Sequence, residues 1–227
     1  MGTYILLSEK NVHRQLFAEL KTTFPDSSWN LIDRKDDFNL AEIERINPDK
    51  IFIPHWSYLI PEQIYSKFEC VVFHMTDLPY GRGGSPLQNL ITRGHTSTKI
   101  SAIKVEEGID TGAVYLKEPL DLHGTATEIL ERASGVIRDM ISSILLENPV
   151  PEAQIGTPVL FKRRTPQDGN LAPLESVGQV YDYIRMLDGE GYPNAFLETD
   201  TLKFEFSDAE LDPLTNTINA HVRITKK

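Results

Sequence analysis

The residues best suited to chemistry lie in one run, His74-Met75-Thr76-Asp77-Leu78-Pro79-Tyr80-Gly81-Arg82-Gly83-Gly84-Ser85-Pro86. It follows an apolar stretch, Cys70-Val71-Val72-Phe73, and leads into a helical pattern. A histidine leaving a buried strand can exchange a proton near neutral pH or donate to a developing oxyanion. The glycines let backbone approach a ligand closely. A buried, hydrogen-bonded histidine beside a tight turn is the plainer reading of the same residues. A second run, Glu106-Glu107-Gly108-Ile109-Asp110-Thr111-Gly112, places an aspartate between two glycines. An aspartate near a histidine sets its tautomer and stabilises its cation. The plainer reading is an Asx turn satisfying its own loop.

The elements around these runs alternate in type. Strands are expected at Tyr4–Ser8, Trp29–Ile32, Lys50–Pro54, Cys70–Met75 and Lys99–Val105. Helices are expected from Asn11 to about Phe24, over Leu40–Ile46 and Pro61–Phe68, from Ser85 to about Arg93, and from Thr125 to near Asn148. Their apolar residues recur with helical spacing, and proline falls at tolerated first-turn positions. The alternation implies an α/β fold with a doubly wound, mostly parallel sheet. Such sheets bind ligands at the carboxyl ends of their strands. Pro149, Pro151 and Pro158 mark a linker. Residues 1–150 then form one domain and 151–227 a small β-rich C-terminal domain, with a helix at Val177–Leu187 and strands at Ala195–Glu198, Lys203–Phe206 and Ala220–Ile224.

Composition narrows the function. The 227 residues carry a formal net charge of -10, which argues against non-specific binding to nucleic acid or anionic membrane. No apolar run approaches the roughly 18 residues of a membrane span, and the N-terminus lacks a basic leader. The single cysteine, Cys70, rules out an internal disulfide and a cysteine-based zinc site, so a cytoplasmic protein without a metal is expected.

Three motifs together resemble the 10-formyltetrahydrofolate-dependent formyltransferases: His74-x-Thr76-x-Leu78-Pro79-x-x-Arg82-Gly83, Ser85-Pro86-Leu87-Gln88, and Ile109-Asp110-Thr111-Gly112. The likeness is strongest over residues 45–125. It implies a Rossmann-like formyltransferase domain, with 10-formyltetrahydrofolate as the formyl donor. It also implies catalytic roles for His74 and Asp110. The family carries an asparagine two residues before the histidine, where this chain has Val72, and Thr76 or Asn89 is the expected substitute donor. By position in the family, the folate would touch Trp56, Ser57, Tyr58, Glu106, Glu107 and Gly108.

Within the family, the run 73–88 and the tail blocks Phe161–Gly169 and Asp188–Pro193 resemble sugar-nucleotide N-formyltransferases of the pseudaminic-acid type. That implies a nucleotide-linked 4-amino-4,6-dideoxy sugar as acceptor, with UDP as the nucleotide. Arg82, Gly83, Lys162, Arg163 and Tyr192 are then the acceptor-binding candidates. The tail lacks an extended basic stripe, so no nucleic-acid partner and no membrane partner are expected. The resemblance admits a homodimer. Other acceptors within the family, glycinamide ribonucleotide or methionyl-tRNA, are the alternative, as is a silent folate or nucleotide-sugar binder.

Overall fold

The computed structural model describes residues 2–227. They group into two compact units. The first contains residues to Arg82, Thr98–Leu120 and Glu131–Leu160; the second contains Gly83–Ser97, Asp121–Leu130 and Phe161–Lys227. The units therefore exchange segments along the chain, where the sequence suggests one boundary at 150.

The first unit is built on a sheet in the order β2-β1-β3-β4-β6-β7. Its strands are β1 (Thr3–Ser8), β2 (Ser28–Ile32), β3 (Lys50–His55), β4 (Cys70–His74), β6 (Ser97–Lys104) and β7 (Val114–Asp121). Strand β1 runs parallel to β2 and β3, and β3 runs parallel to β4. Strand β6 is antiparallel to β4, pairing His74 with Ser101 and Val71 with Lys104. The helices are α1 (Val12–Thr23), α2 (Leu40–Ile46), α3 (Glu62–Tyr65), α4 (Pro86–Ile91), α5 (Ala126–Glu147) and α6 (Val177–Arg185). The expected mostly parallel, Rossmann-like sheet is present, with β6 reversed beside β4.

Alternation along each strand separates two apolar layers. Tyr4, Trp29, Phe52 and Phe73 form an aromatic layer on one face, with ring centroids 4.9–6.3 Å apart along the chain of contacts. Ile5, Leu7, Ile32, Ile51, Ile53 and Cys70 form an aliphatic layer on the other, joined by Ile43 of α2 and Ile64 of α3. Val72, Trp56 and Val105 pack against that aliphatic layer. His74 shares the parity of Cys70 and Val72, so it leaves the sheet on the same face.

Beyond β4, Tyr80–Gly83 forms β5, which pairs with β8 (Val159–Phe161). The second unit carries the antiparallel sheet β11-β10-β9, from β9 (Ala195–Glu198), β10 (Leu202–Asp212) and β11 (Thr217–Lys226). Helix α6 is closed at its start by a reciprocal pair: Ser176 accepts from the Gln179 backbone and Gln179 from the Ser176 backbone. No helix among the described residues is long and apolar enough to cross a membrane.

Candidate active site

His74 ends β4 and is 7% exposed. Its Nε2 lies 2.8 Å from the carbonyl oxygen of Gly81. A carbonyl only accepts, so Nε2 carries the proton. Nδ1 lies 3.5 Å from Asp110 Oδ2. In the neutral ring Nδ1 is therefore the lone pair, and a proton arriving there is held against the Asp110 carboxylate.

The turn that supplies the Gly81 carbonyl is fixed from below. Ser101 of β6, fully buried, donates through Oγ to the Thr76 carbonyl at 2.7 Å and accepts from the Leu78 amide at 3.2 Å. The Leu78-Pro79 peptide is cis. The sequence does not mark Ser101, because a serine within an apolar strand gives no local sign of its cross-strand partner.

Asp110 reaches His74 by an unusual route. The amide of Val105, just past β6, donates to the Cys70 carbonyl at the opposite end of β4 from His74. The loop therefore doubles back along β4 to bring Asp110 to the histidine. Asp110 itself takes a left-handed backbone, φ 53°. Gly112 passes so close to β6 that a Cβ there would lie 1.7 Å from the Lys104 carbonyl oxygen, which explains the glycine. The carbonyls of Asp110 and Gly112 both accept from the Gln154 side chain, at 2.8 and 2.9 Å.

The other expected site residues fall into distinct places. Thr76 has no exposed surface, and its hydroxyl lies 3.5 Å from the Gly81 carbonyl. Asn89 directs its amide nitrogen to the carbonyls of Gly84, Ser85 and Lys162, so its donors are taken up by the fold. Val72 packs against the aliphatic layer and offers no donor. Arg82 places Nε and Nη2 3.1 and 2.8 Å from Gln154 Oε1. Gly83 has φ 110°, and a Cβ there would lie 2.3 Å from the Phe161 carbonyl oxygen. In the second unit, Lys162 and Arg163 are exposed, and Tyr192 bonds Gln88 while burial raises the pKa of its hydroxyl.

Two further loops carry the residues expected to meet the folate. After β3, Trp56 packs edge-on to both Phe38 and Tyr58, with centroids 5.6 Å apart in each pair. Tyr58 is 43% exposed, with Lys35 lying over its ring, and the Ser57 amide reaches Glu9 at 3.3 Å. After β6, Glu106, Glu107 and Gly108 are exposed. Tyr65 of α3 has its hydroxyl pKa raised by burial and by the charges of Glu62 and Glu107, which sets this second loop beside α3. Leu59 and Ile109, one from each loop, leave large apolar surface in solvent. The buried Cys70 thiol is pushed up to about 12 by burial, so it supplies no nucleophile. No group of three or more His, Cys, Asp or Glu among the described residues is arranged to hold a metal.

The chain belongs to the formyl transferase family, whose model matches residues 10–143, and its fold is that family's. A second model, that of the methionyl-tRNA formyltransferase C-terminal domain, matches residues 166–225. The solved methionyl-tRNA formyltransferase from Clostridium thermocellum is 45% identical, with a TM-score of 0.97 and coverage of 100% of both chains. The curated methionyl-tRNA formyltransferase of Rickettsia massiliae is 26% identical over 92% of this chain. The chain spans 69% of that relative's length, and 58% and 56% of two Campylobacter relatives. A sugar N-formyltransferase from a Shewanella species shares 13% identity at a TM-score of 0.68, covering 97% of this chain and 96% of its own, which is a likeness of fold.

These findings overturn the expected sugar-nucleotide acceptor and, with it, the exclusion of a nucleic-acid partner. The physical reason lies in which residues carried that expectation. The run from His74 to Gln88 carries the likeness to the whole family, so it does not by itself tell one acceptor from another. The missing basic stripe was weak evidence, because an aminoacyl end can be held through few phosphates.

Proposed function

We propose that this chain transfers a formyl group from 10-formyltetrahydrofolate to the amino group of methionyl-tRNA. The observation that carries the chemistry is the His74 ring, with one nitrogen committed to Gly81 and the other facing Asp110. The acceptor reading is supported by the 45% identity over the full length of the Clostridium thermocellum enzyme.

The folate supplies the formyl group. Trp56, Tyr58 and the exposed backbone of 106–108 would hold it, Leu59 and Ile109 giving apolar surface. As the amine bonds to the formyl carbon it sheds a proton, the bond from that carbon to N10 of the folate breaks, and N10 takes up a proton so that tetrahydrofolate leaves. Asp110 is the carboxylate placed to accept the amine's proton, directly or through a water. A proton at His74 Nδ1 would be held by Asp110, while Nε2 remains bonded to Gly81. The ring can thus present a cation to an oxygen that gains charge. With Val72 in place of an amide, this pair carries more of that task. A cytoplasmic location goes with this acceptor.

The test is formylation of charged initiator methionyl-tRNA by the purified chain with 10-formyltetrahydrofolate, followed by mass spectrometry of the released amino acid. Formylmethionine should appear with wild type and be lost in His74→Ala. Formylation of a different amine from a parallel panel, with methionyl-tRNA untouched, would overturn the acceptor.

A further inference from the structure

We propose that Gln154 is a positioning residue for the reaction: it holds the doubled-back loop so that Asp110 stays against His74. The inference rests on the reading of His74 and Asp110 as the proton-handling pair. Gln154 lies in the proline-marked segment after α5, which the sequence presents as a linker. Its side chain nevertheless spans two functional segments. Nε2 donates to the backbone carbonyls of Asp110 and Gly112, at 2.8 and 2.9 Å. Oε1 accepts from Arg82 Nε and Nη2, at 3.1 and 2.8 Å.

The partners leave the amide one arrangement. Turning it over would set its N–H groups against the guanidinium and its oxygen against two carbonyls. Arg82 therefore fixes the orientation, and the orientation aims both donors at the loop. The backbone nearby is pinned as well: Val114 and Glu152 exchange hydrogen bonds at 2.7 and 2.9 Å. Gln154 thus acts from a fixed base.

The loop needs such a hold. It enters at Val105, bonded to the far end of β4, and its next backbone tie to the sheet is the Lys104 amide donating to Ala113. Between these ties the chain reverses its course with Asp110 in a left-handed conformation. The two bonds from Gln154 fall at the Asp110 carbonyl and at the carbonyl two residues after it, next to the carboxylate's anchor. No other residue type supplies two donors and an acceptor of this shape. Glutamate keeps the acceptor for Arg82 and replaces the donors with a carboxylate oxygen facing two carbonyls.

The experiment is a double-mutant cycle on the formyl transfer to methionyl-tRNA, using wild type, Gln154→Glu, Asp110→Asn and the double variant. Gln154→Glu should lower kcat by about 10- to 100-fold, the scale of a misplaced catalytic group, with KM for methionyl-tRNA little moved. The double variant should be no slower than Asp110→Asn alone, because a displaced aspartate and an absent one are lost only once. Losses that multiply, or a kcat equal to wild type, would overturn the proposal. If Gln154→Glu does not fold, Gln154→Met takes its place in the same cycle. If wild type does not formylate methionyl-tRNA, the acceptor reading falls separately, and the proposal is read on the His74 ring. With ¹⁵N-labelled histidine at fixed pH, Gln154→Glu should move the Nδ1 resonance in the direction that Asp110→Asn moves it. An Nδ1 resonance unchanged from wild type overturns the positioning role.

Discussion

The Nε2 nitrogen of His74 donates to the carbonyl oxygen of Gly81 at 2.8 Å, and that bond leaves Nδ1 as the ring nitrogen facing Asp110. Nδ1 is turned to Asp110 at 3.5 Å, and the proposed reaction uses that nitrogen. We predict that His74→Ala lowers kcat by about 10²–10⁴-fold, the range for a lost acid–base group, and that Asp110→Asn falls in the same range. Single-turnover formylation rates check this. A loss confined to KM in both variants would refute it.

Gly112→Ala should act on two properties at once. The added Cβ meets the Lys104 carbonyl oxygen, which is backbone and cannot swing aside. We expect a loss of about 1–3 kcal/mol in stability from the forced shift. Because the shift moves Asp110 too, kcat should fall further than stability alone explains at temperatures where the variant is folded. Urea unfolding and kcat measured on the same sample separate the two effects.

His13 makes stability depend on pH. It is 2% exposed at the start of α1, and its pKa is lowered to about 3 by burial and then by the nearby charges of His55 and Lys10. The folded chain keeps it neutral, while the unfolded chain protonates it below about 6.5. Its contribution is therefore complete above that value and is lost as pH falls from about 6.5 towards 3. The slope is at most about 1.4 kcal/mol per pH unit. Unfolding midpoints of wild type and His13→Gln across pH 7 to 4 test this, and the variant should show the flatter acid limb.

The acidic chain should also grip RNA lightly. Lys162, Arg163 and Arg164 form the one basic run in the tail, with Arg164 lying over the Tyr183 ring at 5.1 Å. A contact of about three phosphates gives a log–log salt slope no steeper than about -3. KM for methionyl-tRNA measured between low and moderate salt reads that slope directly. A much steeper value would place additional cations on the RNA.

The sequence disclosed the two residues of the proposed pair but not what holds them. His74 was visible because it follows an apolar strand and precedes glycines, and Asp110 because glycines flank it. Those are local signals. The reversed direction of β6 was not visible, since side-chain alternation is the same in either direction. Strand β5 looked like a turn because Tyr80-Gly81-Arg82-Gly83 becomes a strand only through pairing with β8. Gln154 was hidden by its prolines, and its partners lie far along the chain. The acceptor was misread for a related reason. The motif marks the family as a whole, so it does not by itself tell one acceptor from another.

The doubled-back loop between β6 and β7 has a further consequence, for insertions and deletions. Its ends are clamped to β4 and to β6, at Val105 and Ala113, and Asp110 sits where the count of residues brings it. One residue more or fewer would leave both clamps intact and carry the carboxylate past its mark. Lineages that retain this chemistry are therefore free to rewrite the exposed letters of the segment and are bound to keep its length. Natural variation there should consist of replacements, with gaps displaced to loops that carry no reacting group.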